Sequence, residues 1–300
     1  MRELERNAAD TSHETPARAG VGAVGAEAAR PRIAVVGRGR VGTALAAGLR
    51  RAGYAVDGPA GRGEAIAGAP AGPDSARHAP AGAPGGPDSA RRAPDAVLLC
   101  VPDAEIEAAA AAVAGVAPLT GHTSGATPLT ALEPAGGDRF GLHPLQTIVG
   151  PRTDLRGSGC AVAGSSPAAV ALAGELAEAL GMHPFELRDS QRAAYHAAAS
   201  IASNFLLTLE AAAESVAAGA GIGAEDARRL LGPLVRTTVE SWLATGPEEA
   251  LTGPVARGDE ATVAAQREAV ARSAPQELEL FDLLVERTRA LARTGEAAPA

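Results

Sequence analysis

Three glycines at a fixed spacing follow the first strongly apolar stretch of the chain and constrain its fold more than any other feature. Residues 33–36 have the β-branched composition of a short strand, and Gly37, Gly39 and Gly42 follow before a helical pattern to about Ala52. In a strand–turn–helix unit, the first glycine permits a tight turn, the second lets a phosphate approach the backbone, and the third lets the helix pack closely against the strand. The spacing therefore predicts a dinucleotide-binding βαβ unit.

The loop and the first helical turn are the expected site of the pyrophosphate. Amide groups at the amino end of a helix have no partner within the helix, and the helix dipole favours negative charge there. We expect the nucleotide to be lined by the whole motif, which is Gly37, Arg38, Gly39, Arg40, Val41 and Gly42.

The choice between NAD and NADP depends on residues near the end of the second strand. Asp57 follows Gly37 by about 20 residues, where an acidic side chain would favour NAD. However, Asp57 falls inside the short strand predicted over 54–57, which Gly58 and Pro59 interrupt. Arg62 comes shortly afterwards and can bind the 2′-phosphate of NADP. We therefore expect NADP, with NAD as the alternative.

Composition limits the partners and the chemistry. The net charge of −8 argues against a nucleic-acid partner, and the absence of lysine excludes a Schiff-base mechanism. No stretch has the pattern of a membrane span or a signal peptide, and Cys100 and Cys160 make no disulfide framework. We expect a soluble, cytoplasmic protein with no membrane partner and no metal ion.

The chain divides into regions that differ in composition and in predicted secondary structure. Residues 1–30 predict a disordered tail, residues 31–164 alternate strands and helices, and residues 165–294 predict helices alone. Within the second region, 59–94 is rich in proline and glycine and repeats Gly-Pro-Asp-Ser-Ala-Arg, which indicates a flexible insertion. The predicted fold class is an α/β Rossmann domain with a mainly parallel sheet, followed by an all-α C-terminal domain.

Polar clusters follow three further predicted strands. The strands are expected over 95–101, 117–121 and 139–142, and the clusters are Val101-Pro-Asp103, His122-Thr-Ser-Gly125 and Gly141-Leu-His-Pro-Leu-Gln-Thr147. Because ligands bind beyond the carboxyl ends of parallel strands, these clusters favour a functional edge of the sheet. The alternative is that they are ordinary turns, since proline, glycine, serine and aspartate are turn formers.

A long helix expected over about 190–218 carries polar residues in an apolar sequence. At about 100° per residue they share one face, and they are His196, Ser200, Ser203 and Asn204. Either they are satisfied within the core, or they face a substrate, with His196 as the proton donor. In the loop 250–259, Arg257 can bind a carboxylate, or it is a surface side chain beside a helix cap.

Six motifs in order resemble those of the predicted oxidoreductases that join a Rossmann-like domain to a helical domain of unknown function 2520. They are Gly-Arg-Gly-Arg-Val-Gly, Val-Pro-Asp, His-Thr-Ser-Gly, Gly-Leu-His-Pro-Leu-Gln-Thr, Tyr-His-Ala-Ala-Ala with Ala-Ser-Asn, and Ala-Leu-Thr-Gly-Pro-Val-Ala-Arg-Gly-Asp. The family is similar to pyrroline-5-carboxylate reductases, to the β-hydroxyacid dehydrogenase group and to ketopantoate reductase-like proteins.

The resemblance implies an NAD(P)H-dependent oxidoreductase that reduces the carbonyl of a small anionic substrate, such as a ketopantoate-type 2-keto acid. A cyclic imine reductase of the pyrroline-carboxylate kind and a non-catalytic NADP-binding regulator are the alternatives. The relatives commonly dimerise through the helical domain, so a homodimer is expected.

The resemblance also implies a role for each motif residue. The nucleotide would be lined by the three motif glycines together with Val101, Pro102, Asp103 and Ser124. Ser124 and Gly125 would lie between nicotinamide and substrate, and the residues facing the substrate would be His143, His196, Ser200, Asn204 and Arg257. The β-hydroxyacid dehydrogenases use a lysine with an asparagine on this helix, and here His196 and Asn204 would take those parts at a different spacing.

Overall fold

The structure of the protein is a computed structural model that describes residues 30–61, 64 and 92–296. The predicted tail apart from Arg30, most of the predicted insertion and Arg62 lie outside the described residues. Within the described ranges, no helix is both long and apolar enough to cross a membrane.

A seven-stranded sheet forms the amino-terminal unit, in the order β2-β1-β3-β4-β5-β6-β7. Every neighbouring pair is parallel except β5 and β6, which are antiparallel. This is the mainly parallel Rossmann sheet that the alternating pattern predicts. The strands are β1 (Ile33–Val36), β2 (Val56–Ala60), β3 (Ala96–Leu99), β4 (Leu119–His122), β5 (Asp138–Leu145), β6 (Gly159–Gly164) and β7 (His183–Glu186).

Helices cover both faces of the sheet, which explains why β3 is apolar at every position. The helices are α1 (Arg40–Arg51), α2 (Ile106–Ala112) and α3 (Pro167–Ala179). Successive residues of a strand point to opposite faces. Leu98 therefore joins the core with α1 and α3, and Leu99 joins the core with α2.

A long interrupted helix begins the carboxyl-terminal region. It consists of α4 (Arg192–Ser200), a π-helical segment (Ile201–Phe205) and α5 (Leu206–Ala218). The helices that follow are α6 (Ala224–Thr245), α7 (Pro247–Ala250), α8 (Glu260–Ser273) and α9 (Leu278–Glu296). Their main contacts are with one another and with α5 rather than with the sheet. The region is helical, as expected.

Several strand boundaries differ from those expected, and His122 is the last residue of β4 rather than the first residue after it. The sheet continues past 164, because the apolar face of α3 packs into the same core and leads into β7. Strand β2 runs through Pro59, which an edge strand tolerates, so the insertion begins later than 59. Strand β5 extends to Leu145 rather than ending at 142, because its last residues pair with β6. His143 is therefore part of a strand and does not follow one.

Candidate active site

Two of the three glycines in the loop after β1 are required by packing. Gly37 has a φ of 111°, and a side chain there would overlap the carbonyl oxygen of Cys100 at the end of β3. A side chain on Gly42 would overlap the carbonyl oxygen of Gly37, because α1 crosses the loop at close range. A Cβ on Gly39, by contrast, would meet no atom within 4 Å among the described residues. The loop therefore leaves open space at the glycine where a phosphate is expected to approach.

The amino end of α1 carries no group that competes with an anion. Gly39 is its N-cap without a side-chain hydrogen bond, and the first turn contains no acidic residue. Arg40 begins the helix with an exposed side chain, and Val41 packs partly against the core. Free amide groups, a positive helix end and the space at Gly39 together fit the pyrophosphate of a dinucleotide.

Arg38 brings a positive charge to the carboxyl end of β2. Its Nε donates to the carbonyl oxygen of Pro59 at 3.3 Å, and its guanidinium forms an ion pair with Glu64. Asp57 lies earlier in β2, where both of its carboxylate oxygens accept hydrogen bonds from Arg32, at 2.7 and 2.6 Å. The carboxylate that would favour NAD is therefore engaged elsewhere, and a cation lies where the ribose of a dinucleotide is expected.

The polar clusters after β3 and β4 are joined by a hydrogen bond. The Ser124 hydroxyl donates to the Asp103 carboxylate at 2.8 Å and accepts from the backbone amides of Ala126 and Thr127 at 3.2 and 2.9 Å. Val101 and Pro102 precede Asp103 at the same edge of the sheet. Because Ser124 is buried and its hydroxyl is fully engaged, its side chain holds the loop that presents Gly125.

Two histidines bound the space beside Gly125. A Cβ on this glycine would lie 2.9 Å from Nε2 of His143 and 3.0 Å from Cδ2 of His196. The two imidazole rings have centroids 6.4 Å apart. The structure thus brings together three residues that the sequence assigned to the substrate, at the carboxyl edge of β4. A side chain on Gly125 would overlap both rings, so glycine lets the two imidazoles approach the loop closely.

Tyr195 and Arg192 belong to the same cluster and were not among the predicted site residues. The Tyr195 hydroxyl lies 2.7 Å from Nδ1 of His143. Arg192 is buried, with Nε donating to Asp189 at 2.7 Å and Nη1 donating to the Ser124 carbonyl at 3.3 Å. Their spacing of i and i+3 places both on one helix face. The sequence signal for this pair was its i, i+3 spacing beside His196. The signal was weak because most of the neighbouring residues on the helix are apolar.

Burial changes the protonation of this cluster. It lowers the pKa of His143 to about 4, and the positive charges of His196 and Arg192 add to the effect. Burial raises the pKa of Tyr195 to about 12, and Arg192 partly opposes this rise. Burial and the charge of Arg192 also lower the pKa of His122 to about 4. At neutral pH, His143 and His122 are therefore neutral imidazoles and Tyr195 is a neutral phenol.

The remaining predicted residues are less closely joined to this cluster. Ser200 lies one helical turn beyond His196, and Asn204 falls in the π-helical segment, where the angle between successive side chains departs from the α-helical value. Ser203 in the same segment lies 3.3 Å from the Thr147 hydroxyl. Arg257 lies in the loop between α7 and α8, and no contact joins it to His143 or His196 within the described chain.

Comparison with known proteins places both halves of the chain. Residues 14–146 match the model of a Rossmann-like domain, and residues 158–288 match the model of the domain of unknown function 2520. The search of curated proteins found no match.

Solved structures share the fold at low sequence identity. A Bacteroides fragilis protein assigned as an NADP oxidoreductase is 19% identical, with a TM-score of 0.66 over 87% of this chain and 98% of its own. A Thermotoga maritima protein is 20% identical, with a TM-score of 0.65 over 88% and 99%.

A more distant structure carries a bound nucleotide. Pyrroline carboxylate reductase of Plasmodium falciparum, with NADP bound, is 11% identical, with a TM-score of 0.52 over 88% of this chain and 99% of its own. At these identities the likeness concerns the fold. The glycine loop, the paired strand ends and the two family models agree, and the chain joins a Rossmann-like domain to a domain of unknown function 2520.

Proposed function

We propose that the protein is an NAD(P)H-dependent oxidoreductase that reduces a carbonyl or imine carbon of a small anionic substrate. The observation that carries the proposal is a shared edge of the sheet. The open glycine loop follows β1, and Gly125 with its two histidines follows β4, so both sites lie beyond carboxyl ends of parallel strands. When bound, the reduced nicotinamide supplies the hydride.

The residues of the chain then bind, orient and protonate. The amides of α1 and the loop 37–42 hold the pyrophosphate, while Asp103 and Ser124 fix the loop that presents Gly125 to the two histidines. His143 and His196 flank the reacting atom, and Ser200, Asn204 and Arg257 stay predicted substrate contacts. A guanidinium at Arg257 suits a substrate carboxylate because it can form two parallel hydrogen bonds.

NADP is the cofactor that we propose, with NAD as the alternative. Arg38 supports this choice because its guanidinium lies at the end of β2, whereas Asp57 is engaged by Arg32. Arg62 remains a predicted second ligand of the 2′-phosphate. Replacing Arg38 by alanine is expected to weaken NADPH binding by about 10- to 100-fold, because a charge-assisted contact is lost. NADH binding should change little. Fluorescence titration measures both, and an equal loss for both cofactors would contradict the assignment.

The substrate class divides into a 2-keto acid such as ketopantoate and a cyclic imine. The imine alternative is favoured by the fold likeness to a pyrroline carboxylate reductase. Purified protein with NADPH should be tested against both classes by loss of nicotinamide absorbance. Turnover of one class would establish the reaction. A protein that binds NADPH but oxidises it with neither class would support a non-catalytic NADP-binding regulator instead.

A further inference from the structure

We infer that Tyr195 and His143 form a proton-delivering pair and that the substrate receives its proton from Nε2 of His143. The inference rests on the proposed function, and it replaces the expectation that His196 is the donor. It gives Tyr195, the first residue of the Tyr-His-Ala-Ala-Ala motif, a role that was not predicted from the sequence.

The geometry joins the two side chains of the pair. The Tyr195 hydroxyl and Nδ1 of His143 are 2.7 Å apart, and the rings meet edge to face with centroids 5.5 Å apart. Phe185 of β7 packs against the other side of Tyr195, with ring centroids 5.9 Å apart. If Tyr195 donates to Nδ1, the neutral imidazole carries its hydrogen on Nε2. That nitrogen lies beside Gly125 and close to His196, because a Cβ on this glycine would come within 2.9 Å of it.

His196 lacks comparable support. Its side chain is exposed and makes no hydrogen bond among the residues that the structure describes. A proton donor is effective when a second group holds its ring and tautomer. His143 has such a group in Tyr195, whereas His196 has only the ring contact with His143.

The proton transfers need only His143, Tyr195 and solvent. When the reacting carbon accepts the hydride, the electron pair of the C=O or C=N bond moves to the oxygen or nitrogen. The Nε2–H bond of His143 breaks as that atom takes the proton. Nδ1 takes the hydroxyl proton of Tyr195. After the product leaves, Nε2 takes a proton from solvent and Nδ1 returns its proton to the half-buried tyrosinate, which restores the starting tautomer.

Charged groups surround the pair. Burial raises the pKa of Tyr195 to about 12 and Arg192 opposes this rise, whereas burial lowers the pKa of His143 and the charge of Arg192 adds to that effect. His196 also lowers the pKa of His143, whereas Asp103 raises it. Near Tyr195, the Cys160 thiol acts to raise the pKa. Arg192 is thus a positioning residue for the pair.

The decisive variant is Tyr195→Phe, which keeps the ring and removes the hydroxyl. We expect kcat to fall by about 100-fold with an unchanged Kd for NADPH, since general acid catalysis typically contributes that much or more. The kcat of His143→Asn should fall by a similar factor. The double variant should be no slower than the slower single variant, because the pair acts as a unit. Tyr54→Phe is the matched control, because Tyr54 bonds to Glu175 away from the site. Full turnover by Tyr195→Phe would overturn the inference.

The pH profile separates the two histidines. A neutral His143 donor gives wild-type turnover that stays level from about pH 5 to 9. A donor that acts in a cationic form would instead lose activity as the pH rises. Such a decline in the wild-type protein would contradict the assignment to His143.

A cofactor-free measurement keeps the inference testable even if no substrate is turned over. Nitrogen-15 NMR of the wild-type imidazoles should show His143 with its hydrogen on Nε2. In Tyr195→Phe, the signal should shift towards a mixture of tautomers. A wild-type His143 that carries its hydrogen on Nδ1 would overturn the inference. Absence of turnover with a correct tautomer would instead count against the proposed function.

Discussion

Gly39 and Gly42 differ in what a side chain would meet, and the difference separates cofactor binding from folding. A Cβ at Gly42 would overlap the Gly37 carbonyl oxygen, whereas one at Gly39 enters open space. Gly39 also has a φ of −66°, which any residue adopts without strain. The two positions therefore form a matched pair for substitution.

Gly42→Ala is expected to lower the free energy of unfolding by about 1–3 kcal/mol, because α1 must move away from the loop. Gly39→Ala should leave that energy within about 0.5 kcal/mol but weaken NADPH binding, since the added methyl group stands where the phosphate approaches. Thermal unfolding and NADPH titration of both variants check this. Unchanged NADPH binding in Gly39→Ala would show that the phosphate binds elsewhere.

Two buried histidines make the stability sensitive to acid. His122 and His143 have folded-state pKa values of about 4, below the ordinary 6.5. Between these values the unfolded chain binds more protons than the folded one, so stability is complete above about pH 6.5 and declines as the pH falls towards 4. The decline from pH 6.5 to 5 is roughly 2 kcal/mol for each histidine.

His122→Gln should remove its share of this decline, whatever its effect on stability at neutral pH. Denaturant unfolding of the wild type and the variant at about pH 7 and pH 5 measures the two differences. An identical pH dependence in both proteins would show that His122 titrates normally in the folded state.

At the scale of elements, the strands and helices that position the site follow from local patterns. The glycine spacing predicted β1, its turn and α1, and Ser166 caps α3 through the amide of Ala169, as its position before Pro167 indicates. The apolar run of β3 predicted a buried parallel strand. These features depend on residues close in sequence, so the sequence alone contains the necessary information.

The features that were predicted wrongly or missed depend on residues that are distant in the sequence. β7 and the last residues of β5 are fixed by pairing with β6, which depends on residues far along the chain. Tyr195 was missed for the same reason, because its partner His143 is 52 positions away. The polar stripe was calculated for a regular α-helix, and the π-helical segment alters the direction of its later residues. The role of Arg192 becomes visible only in the folded structure, where its guanidinium donates to the carbonyl of Ser124.

At the scale of the whole molecule, the carboxyl-terminal helices expose large apolar side chains, and we propose that they form a homodimer interface. The relative exposure is 69% for Leu207 on α5, and 64% and 70% for Leu234 and Leu243 on α6. Leu230 and Leu234 are one helical turn apart on α6 and share a face, and an exposed apolar face of this kind is typical of a subunit interface.

Leu234→Glu is expected to shift the protein towards a monomer, because a charge would be buried without a partner. The glycine loop lies in the amino-terminal unit, so NADPH binding should persist. Sedimentation velocity at several concentrations checks this, with Arg293→Glu on α9 as a charge-changing control. A wild-type protein that is monomeric at every concentration would contradict the proposed dimer.

A crystal structure of the protein with NADPH tests the central claim most directly. The account predicts the pyrophosphate at the loop 37–42 against the amino end of α1, and the nicotinamide beside Gly125, facing the substrate that His143 and His196 contact. A nicotinamide ring directed away from Gly125, or phosphates bound away from α1, would contradict a reductase site at this edge of the sheet.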